Sequence, residues 1–238
     1  MSGGWAVGKR KISPGTLCAY CGNDVGMAGT QEDVIPRCLF LKARRRNLVK
    51  VPTCRPCNDA KARHDGYMRD WLLSGIDPDE HLTTKEVYDA FLRAAGRKQS
   101  AVAQAVLQCG QLVPVFTESG LCAGCGYAYP LDSRRIRFLG ERIAKGLYYH
   151  AHGYPLPASA DIGVHLMVGN EARHQVEVMR QMGARVRVLG AGECVVLSVE
   201  AREGAKEATL AMVILYNVVA LIVSTRDEPG TVPAAINL

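Results

Sequence analysis

Two Cys-x-x-Cys pairs, Cys18/Cys21 and Cys54/Cys57, lie in the first 57 residues and constrain the fold more than any other feature. The two-residue gap lets both sulfurs of a pair reach one metal ion at about 2.3 Å, and four thiolates suit tetrahedral zinc. The 32 residues between the pairs can form a hairpin that returns the second pair to the first. The sequence therefore predicts one structural zinc site.

Three other interpretations of these four cysteines stay open. They can be unrelated buried thiols, a rubredoxin-like iron site, or a redox dithiol, although a redox role needs only one pair. The opening residues contain no apolar export signal, so we expect a cytoplasmic protein with reduced thiols. The total of nine cysteines is odd, which excludes complete intrachain pairing.

A third pair, Cys122-x-x-Cys125, has no obvious partner in the sequence. Cys109 together with His150 or His152 would complete a second metal site. A surface loop that carries two thiols is the simpler interpretation.

The positive charge is concentrated near the two cysteine pairs. The formal net charge is +6, yet residues 1–63 hold 12 Lys/Arg against 4 Asp/Glu, so the rest of the chain is slightly acidic. Such a focused basic field attracts polyanions, and nucleic acid is the predicted partner, while a solvated loop is the alternative. The candidate phosphate contacts in this region are Lys42, Arg44, Arg45, Arg46, Lys50 and Arg55.

Hydrophobic residues make up 48% of the chain and charged residues 22%, as in ordinary globular proteins. Composition and patterning predict an α+β protein in four parts. These are a flexible basic arm (1–16), a zinc-bound domain (17–75), a helical connector with loop (76–131), and an α+β domain with an antiparallel sheet (132–238).

Apolar periodicity and capping residues predict the individual elements. We expect helices over 58–73, 83–96, 100–107, 132–149 and 170–182, and strands over 164–168, 185–189, 194–199, 209–216 and 218–224. The uncharged run from Ala208 to Val223 is shorter than the roughly 20 residues that span a bilayer, so we expect buried strands and no membrane segment.

Three short segments lie between and beside the cysteine pairs. They are Glu32-Asp33-Val34-Ile35-Pro36, then Asn47, then Cys54-Arg55-Pro56-Cys57-Asn58-Asp59-Ala60-Lys61. Their order and spacing over residues 18–73 resemble the HNH (ββα-metal) endonucleases, particularly a bacterial group with a four-cysteine zinc site. Asp65-x-Tyr67-x-Arg69 is similar to the helix that continues this motif, and residues 144–150 show a less specific similarity.

The resemblance implies a zinc-stapled, treble-clef-like ββα domain and a metal-dependent DNA endonuclease. Glu32 and the side-chain carbonyl of Asn58 would hold Mg²⁺ or Mn²⁺, which prefer oxygen ligands. Asn47 would orient the base or the opposite loop. Lys61 lies one helical turn after Asn58, so it would contact a phosphate.

One residue departs from the family pattern. The general base of the family is His, and Asp33 stands at that position. A carboxylate is normally a weaker base near neutral pH, so Asp33 would need a raised pKa or would act as a further metal ligand. The alternatives are a catalytically inactive, zinc-containing nucleic-acid-binding protein derived from such a nuclease, and a zinc-stabilised protein-interaction domain.

Overall fold

In the computed structural model, a short β-hairpin and a long helix follow the first cysteine pair. Strands β1 (Thr30–Asp33) and β2 (Lys50–Thr53) are antiparallel, with Glu32 opposite Val51 and Asp33 opposite Lys50. Helix α1 (Arg55–Ser74) starts three residues before the predicted one, so Cys54 directly precedes it and Cys57 lies in its first turn. Two short 3-10 turns, Arg37–Leu39 and Lys42–Arg44, connect the strands.

The structure describes residues 12–13, 15–74, 85, 88–89, 92–93, 101–117, 119–168, 170–203, 206–217 and 219–226. Most of the predicted basic arm and most of the predicted helix over 83–96 lie outside these residues. Next come helix α2 (Ala101–Cys109) and strands β3 (Gln111–Phe116) and β4 (Cys122–Ala128). The last two form an antiparallel hairpin where the sequence predicted mainly loop.

Helix α3 (Ser133–His152) matches its prediction closely. Its apolar stripe is buried, including Ile136, Leu139, Ile143 and Leu147. The Asp132 side chain accepts a hydrogen bond from the Arg135 amide as an N-cap. The helix ends at Gly153, whose positive φ of 86° suits a residue without a Cβ.

A five-stranded antiparallel sheet follows, as predicted. Its strands are β5 (Asp161–Val168), β6 (Arg185–Leu189), β7 (Cys194–Glu203), β8 (Lys206–Leu215) and β9 (Val219–Arg226). Helix α4 (Asn170–Gln181) lies between β5 and β6 in the chain. The strand order is β5-β9-β8-β7-β6. The uncharged run falls in the paired strands β8 and β9, as expected. Among the helices that the structure describes, none has both the length and the apolar composition to cross a bilayer.

Helix α3 lies between the first hairpin and the sheet, and two glycines allow the close approach. A Cβ added at Gly140 would lie 2.3 Å from Val164 of β5, and one added at Gly146 would lie 2.7 Å from Val34. One continuous cluster of buried apolar side chains therefore runs from the hairpin through α3 into the sheet. Helix α4 covers part of the opposite sheet face. A mixed α+β fold with antiparallel sheets is thus confirmed.

Candidate functional site

The four N-terminal cysteines converge, as their spacing predicted. Their Sγ atoms all lie within 4.8 Å of one another, and Cys21 Sγ is 3.8 Å from Cys54 Sγ. Tetrahedral zinc with 2.3 Å bonds would separate its sulfur ligands by about 3.8 Å. The donor set and its spacing therefore fit a metal ion such as zinc.

Backbone hydrogen bonds fix the first cysteine pair as a tight turn. The Gly22 amide donates to the Cys18 carbonyl at 2.9 Å, and Gly22 has a positive φ of 76° that favours glycine. The Ala19 amide donates to the Pro52 carbonyl at 2.9 Å, which ties this turn to strand β2. Since α1 begins directly after Cys54, the end of β2 places the second pair beside the first.

The site favours the thiolate at one position. Burial acts to raise the pKa of Cys18, but hydrogen bonds from the Cys54, Tyr20 and Cys21 backbone and the Thr53 side chain lower it to about 6. Metal ligation requires the thiolate form. Near neutral pH, the Cys18 sulfur therefore favours the thiolate form that binds a metal ion.

Helix α3 supplies cations that the sequence reasoning did not identify. Arg142 Nη1 donates to Cys57 Sγ at 3.8 Å, and its guanidinium lies 5.1 Å from the Tyr20 ring centroid and 4.9 Å from that of Phe138. Lys145 Nζ donates to the Tyr20 carbonyl at 3.3 Å. With a metal ion bound, these cations would offset part of the negative charge of four thiolates. The sequence signals for these two cations were their i, i+3 spacing on a predicted helix and, for Lys145, the weaker family similarity of residues 144–150.

Lys61 joins two carboxylates instead of facing solvent. Its side chain is fully buried, and Nζ lies 2.9 Å from Glu32 Oε1 and 3.1 Å from Asp65 Oδ1. Burial raises the pKa of Asp65 to about 6, although the neighbouring ammonium opposes this rise. In this arrangement Lys61 is paired with two carboxylates inside the protein, whereas its place in the sequence predicted a phosphate contact.

The predicted catalytic residues of the hairpin and α1 do not all lie on one side of the hairpin. Asp33 lies on the opposite face of β1 from Glu32, because side chains alternate along a strand, and its Oδ1 is 3.5 Å from Lys50 Nζ. Asn58, in the first turns of α1, donates from Nδ2 to Thr30 Oγ1 at 2.9 Å. Thr30 and Glu32 share a strand face, so Asn58 and Glu32 lie on the same side of the hairpin.

Asn47 lies at the junction with the sheet. Its φ of 57° is left-handed, which Asn tolerates better than most residues. It lines a groove of about 470 Å³ together with Arg185, Val186, Arg187, Val188, Val196 and Ser198. Among the described residues, no hydrogen bond or ion pair joins Asn47 to Glu32, Asp33 or Asn58.

The predicted phosphate contacts other than Lys61 lie on or near the surface. Arg45 Nε donates to the Phe40 carbonyl at 3.3 Å, and the Arg44 guanidinium lies 4.0 Å from Glu193 of the sheet. Arg55 pairs with Asp59 one helical turn away at 3.7 Å. The exposed members are Lys42, Arg45, Arg46, Lys50 and Arg55.

Comparisons with known proteins return no match. No protein-family model, no curated protein and no solved structure is similar enough to this chain to assign it to a family.

Proposed function

We propose that the chain is a zinc-stabilised nucleic-acid-binding protein with an HNH-like ββα module that does not cleave the phosphodiester backbone. The observation that carries this proposal is the buried ammonium of Lys61 between Glu32 and Asp65. The Lys61 ammonium neutralises the carboxylates that would otherwise serve as oxygen ligands for a divalent ion.

The order of the elements supports an HNH-like module. The first cysteine turn, β1, β2, the second cysteine pair and α1 follow one another along the chain. The segments that resemble the family motif lie at the end of β1 and at the start of α1. This is the expected arrangement of a ββα module with a four-cysteine zinc site.

The placement of the acids favours binding without cleavage. Phosphodiester hydrolysis needs a base near the attacking water and a hard cation near the leaving oxygen. Glu32 is paired with Lys61, and Asp33 lies on the other strand face beside Lys50. Among the described residues, neither carboxylate is joined to Asn47 by a hydrogen bond or ion pair. Asn47 lines the groove beside β6. This distribution of the acids and Asn47 supports binding without cleavage.

Nucleic-acid binding is supported by a basic surface that extends beyond the ββα module. Residues 42–46 lie beside the turn after β6, where the Gly190 amide donates to the Arg46 carbonyl at 3.0 Å. Arg185 and Arg187 of β6 line the adjoining groove. Cations from two parts of the chain therefore adjoin one another, which suits an extended polyanion.

The direct test is binding of a fluorescent DNA duplex measured by anisotropy over a series of salt concentrations. We expect affinity to fall steeply with salt, since each neutralised phosphate contributes about 0.9 to the slope of log K against log salt. Arg45→Ala with Arg46→Ala should reduce that slope by about 2. Arg180→Ala, an exposed arginine on α4, is the matched control and should leave the slope unchanged.

An affinity that ignores salt would contradict nucleic-acid binding and favour the protein-interaction alternative. The same measurement with single-stranded RNA and DNA identifies the preferred form of nucleic acid. Binding that survives removal of both Arg45 and Arg46 at an unchanged salt slope would place the contact surface elsewhere.

A metal-dependent endonuclease is the second candidate. Glu32, Asp65 and Asn58 lie toward the same side of the hairpin. A magnesium or manganese ion that displaced the Lys61 ammonium would meet oxygen ligands there.

Plasmid nicking in Mg²⁺ or Mn²⁺ separates the two candidates. We expect no cleavage by the wild-type protein and no gain with Asp33→His. Cleavage by the wild type that is lost with Glu32→Gln but kept with Asp59→Asn, an exposed acid on the same helix as Asn58, would establish the nuclease instead.

A further inference from the structure

The β3–β4 hairpin presents two thiols on one face because of a β-bulge. Cys122 pairs with Phe116 and Cys125 pairs with Pro114, while Val115 pairs with Gly124. Ala123 is therefore the extra residue. In a regular strand, cysteines three positions apart would point to opposite faces, and the extra residue brings them to the same face.

The same face of the hairpin is apolar and exposed. Leu112, Pro114 and Phe116 alternate along β3, and Leu112 and Phe116 remain 63% and 59% exposed. Both cysteines are exposed as well. Neither β3 nor β4 contains a charged residue. An exposed, uncharged hairpin with an apolar face is typical of a surface that another chain covers.

Two thiols supply half of the four ligands that a tetrahedral metal site needs. Among the described residues, the only convergent group of three or more Cys, His, Asp or Glu side chains is the N-terminal four-cysteine cluster. The histidines considered from sequence are engaged elsewhere: His150 lies 3.1 Å from Arg187 Nη1, and His152 lies 2.6 Å from Glu207 Oε2. The described part of this chain therefore supplies two ligands to such a site.

Cys109 does not complete the site either. It ends α2 just before Gln111, which pairs with Ala128 at the far end of β4 from Cys122. Among the described residues, no third ligand therefore joins Cys122 and Cys125 in the second metal site that the sequence left open.

We propose that two copies of the chain join hairpin to hairpin around one shared zinc ion. Cys122 and Cys125 of each copy would donate the four thiolates, and Leu112 and Phe116 of each copy would pack around them. A tetrahedral set of two thiolate pairs has two-fold symmetry, so identical faces can meet through it. Binding converts four thiols to thiolates and releases four protons, without oxidation.

The local sequence supports a metal at this hairpin. Cys122-Ala123-Gly124-Cys125-Gly126 repeats the Cys-Ala-x-Cys-Gly pattern of Cys18-Ala19-Tyr20-Cys21-Gly22. The pattern at Cys18–Gly22 belongs to a cluster of four cysteine ligands. The pattern at Cys122–Gly126 supplies two cysteines. The partner copy provides the missing pair.

The experiment is zinc content and light-scattering mass, measured together on the full chain with zinc and a non-thiol reductant. We expect twice the 25.8 kDa mass of the chain and about 1.5 zinc ions per chain, one of its own and half of a shared ion. Cys122→Ser with Cys125→Ser should give a monomer with about one zinc ion. Cys109→Ser is the matched control and should remain a dimer.

Other outcomes overturn the proposal. A monomer with one zinc ion would show two unliganded thiols, and a monomer with two would show a site completed within the chain. A dimer that persists in the double serine variant would show an apolar interface without metal. A dimer that appears only without reductant would show a disulfide. Phe116→Ser, which keeps all ligands, should weaken the dimer at least tenfold. An unchanged dimer affinity would show that the apolar face does not contribute.

Discussion

Lys61 Nζ donates to Glu32 Oε1 at 2.9 Å, and the lysine side chain has no exposure to solvent. A buried cation of this kind is stabilised only by its partners, and each partner relies on it in turn. The pair joins α1 to β1 at the centre of the predicted nuclease motif.

Lys61→Met should destabilise the protein by about 3 kcal/mol, because removing one partner leaves buried carboxylates unpaired. Chemical denaturation of the zinc-loaded protein measures the loss. The added changes Glu32→Gln and Asp65→Asn should recover most of it. Arg63→Met, on an exposed position of the same helix, is the control and should change stability by less than about 0.5 kcal/mol. An equally small effect at Lys61 would contradict the buried pair.

The raised pKa of Asp65 should appear as a pH dependence of stability. Its pKa is about 6 in the folded protein and 3.8 in the unfolded chain, so the folded state binds more protons between these values. Stability should therefore fall as pH rises from 4 to 6, by on the order of 2 kcal/mol. We would compare the unfolding free energies of wild type and Asp65→Asn across this range.

The difference between wild type and Asp65→Asn should shift against the wild type as pH rises. Asp59→Asn, an exposed acid on the same helix, is the control and should run parallel to the wild type. A difference that is constant with pH would show that Asp65 titrates normally.

Arg142→Ala should weaken zinc binding by about 10- to 100-fold, because Arg142 donates to the sulfur of Cys57 and stacks against Tyr20. Competition with a chromogenic chelator measures this affinity. Arg137→Ala, on the same helix but paired with Glu141 at the surface, is the matched control. Equal zinc affinities for the two variants would show that Arg142 of α3 does not contribute to zinc binding.

Gly146→Ala and Gly66→Ala should change stability in opposite directions. A Cβ at Gly146 would lie 2.7 Å from Val34, whereas one at Gly66 of α1 meets nothing within 4 Å. We expect a loss of about 1–3 kcal/mol at Gly146 and a gain of about 0.5–1 kcal/mol at Gly66. The loss of stability caused by Gly146→Ala should be smaller when it is measured in the Val34→Ala background. Thermal denaturation distinguishes these outcomes, and a gain at both glycines would contradict the tight packing.

Removing zinc should unfold residues 17–74 and loosen α3, because one core runs through both. Structural zinc contributes on the order of 10 kcal/mol in small modules, which is comparable to the whole stability of a domain. Amide hydrogen exchange should show lost protection in α1 and α3 after chelation and in Cys54→Ser. Cys109→Ser should keep full protection. Unchanged exchange in chelator would show that the fold does not need the metal.

Local patterns were enough to predict much of this protein. The cysteine spacing predicted the four-thiol cluster because two-residue gaps leave few geometries for a pair of ligands. Apolar periodicity predicted α3 and the antiparallel strands of the sheet because it reports directly which face of an element is buried. The hairpin of β3 and β4 was predicted only as loop with some strand, since its exposed apolar residues do not alternate with charged ones.

Tertiary structure alone decided how the polar residues are used. From the sequence Lys61 was a phosphate ligand, but Glu32 and Asp65 hold it because the hairpin lies against α1. Arg142 contacts Cys57 across 85 residues of sequence because α3 packs against the hairpin, where Gly146 lies close to Val34. The side chain that pairs with a buried charge depends on which elements pack together. Short-range spacing determines ligands that are neighbours in the chain, and the folded core determines the rest.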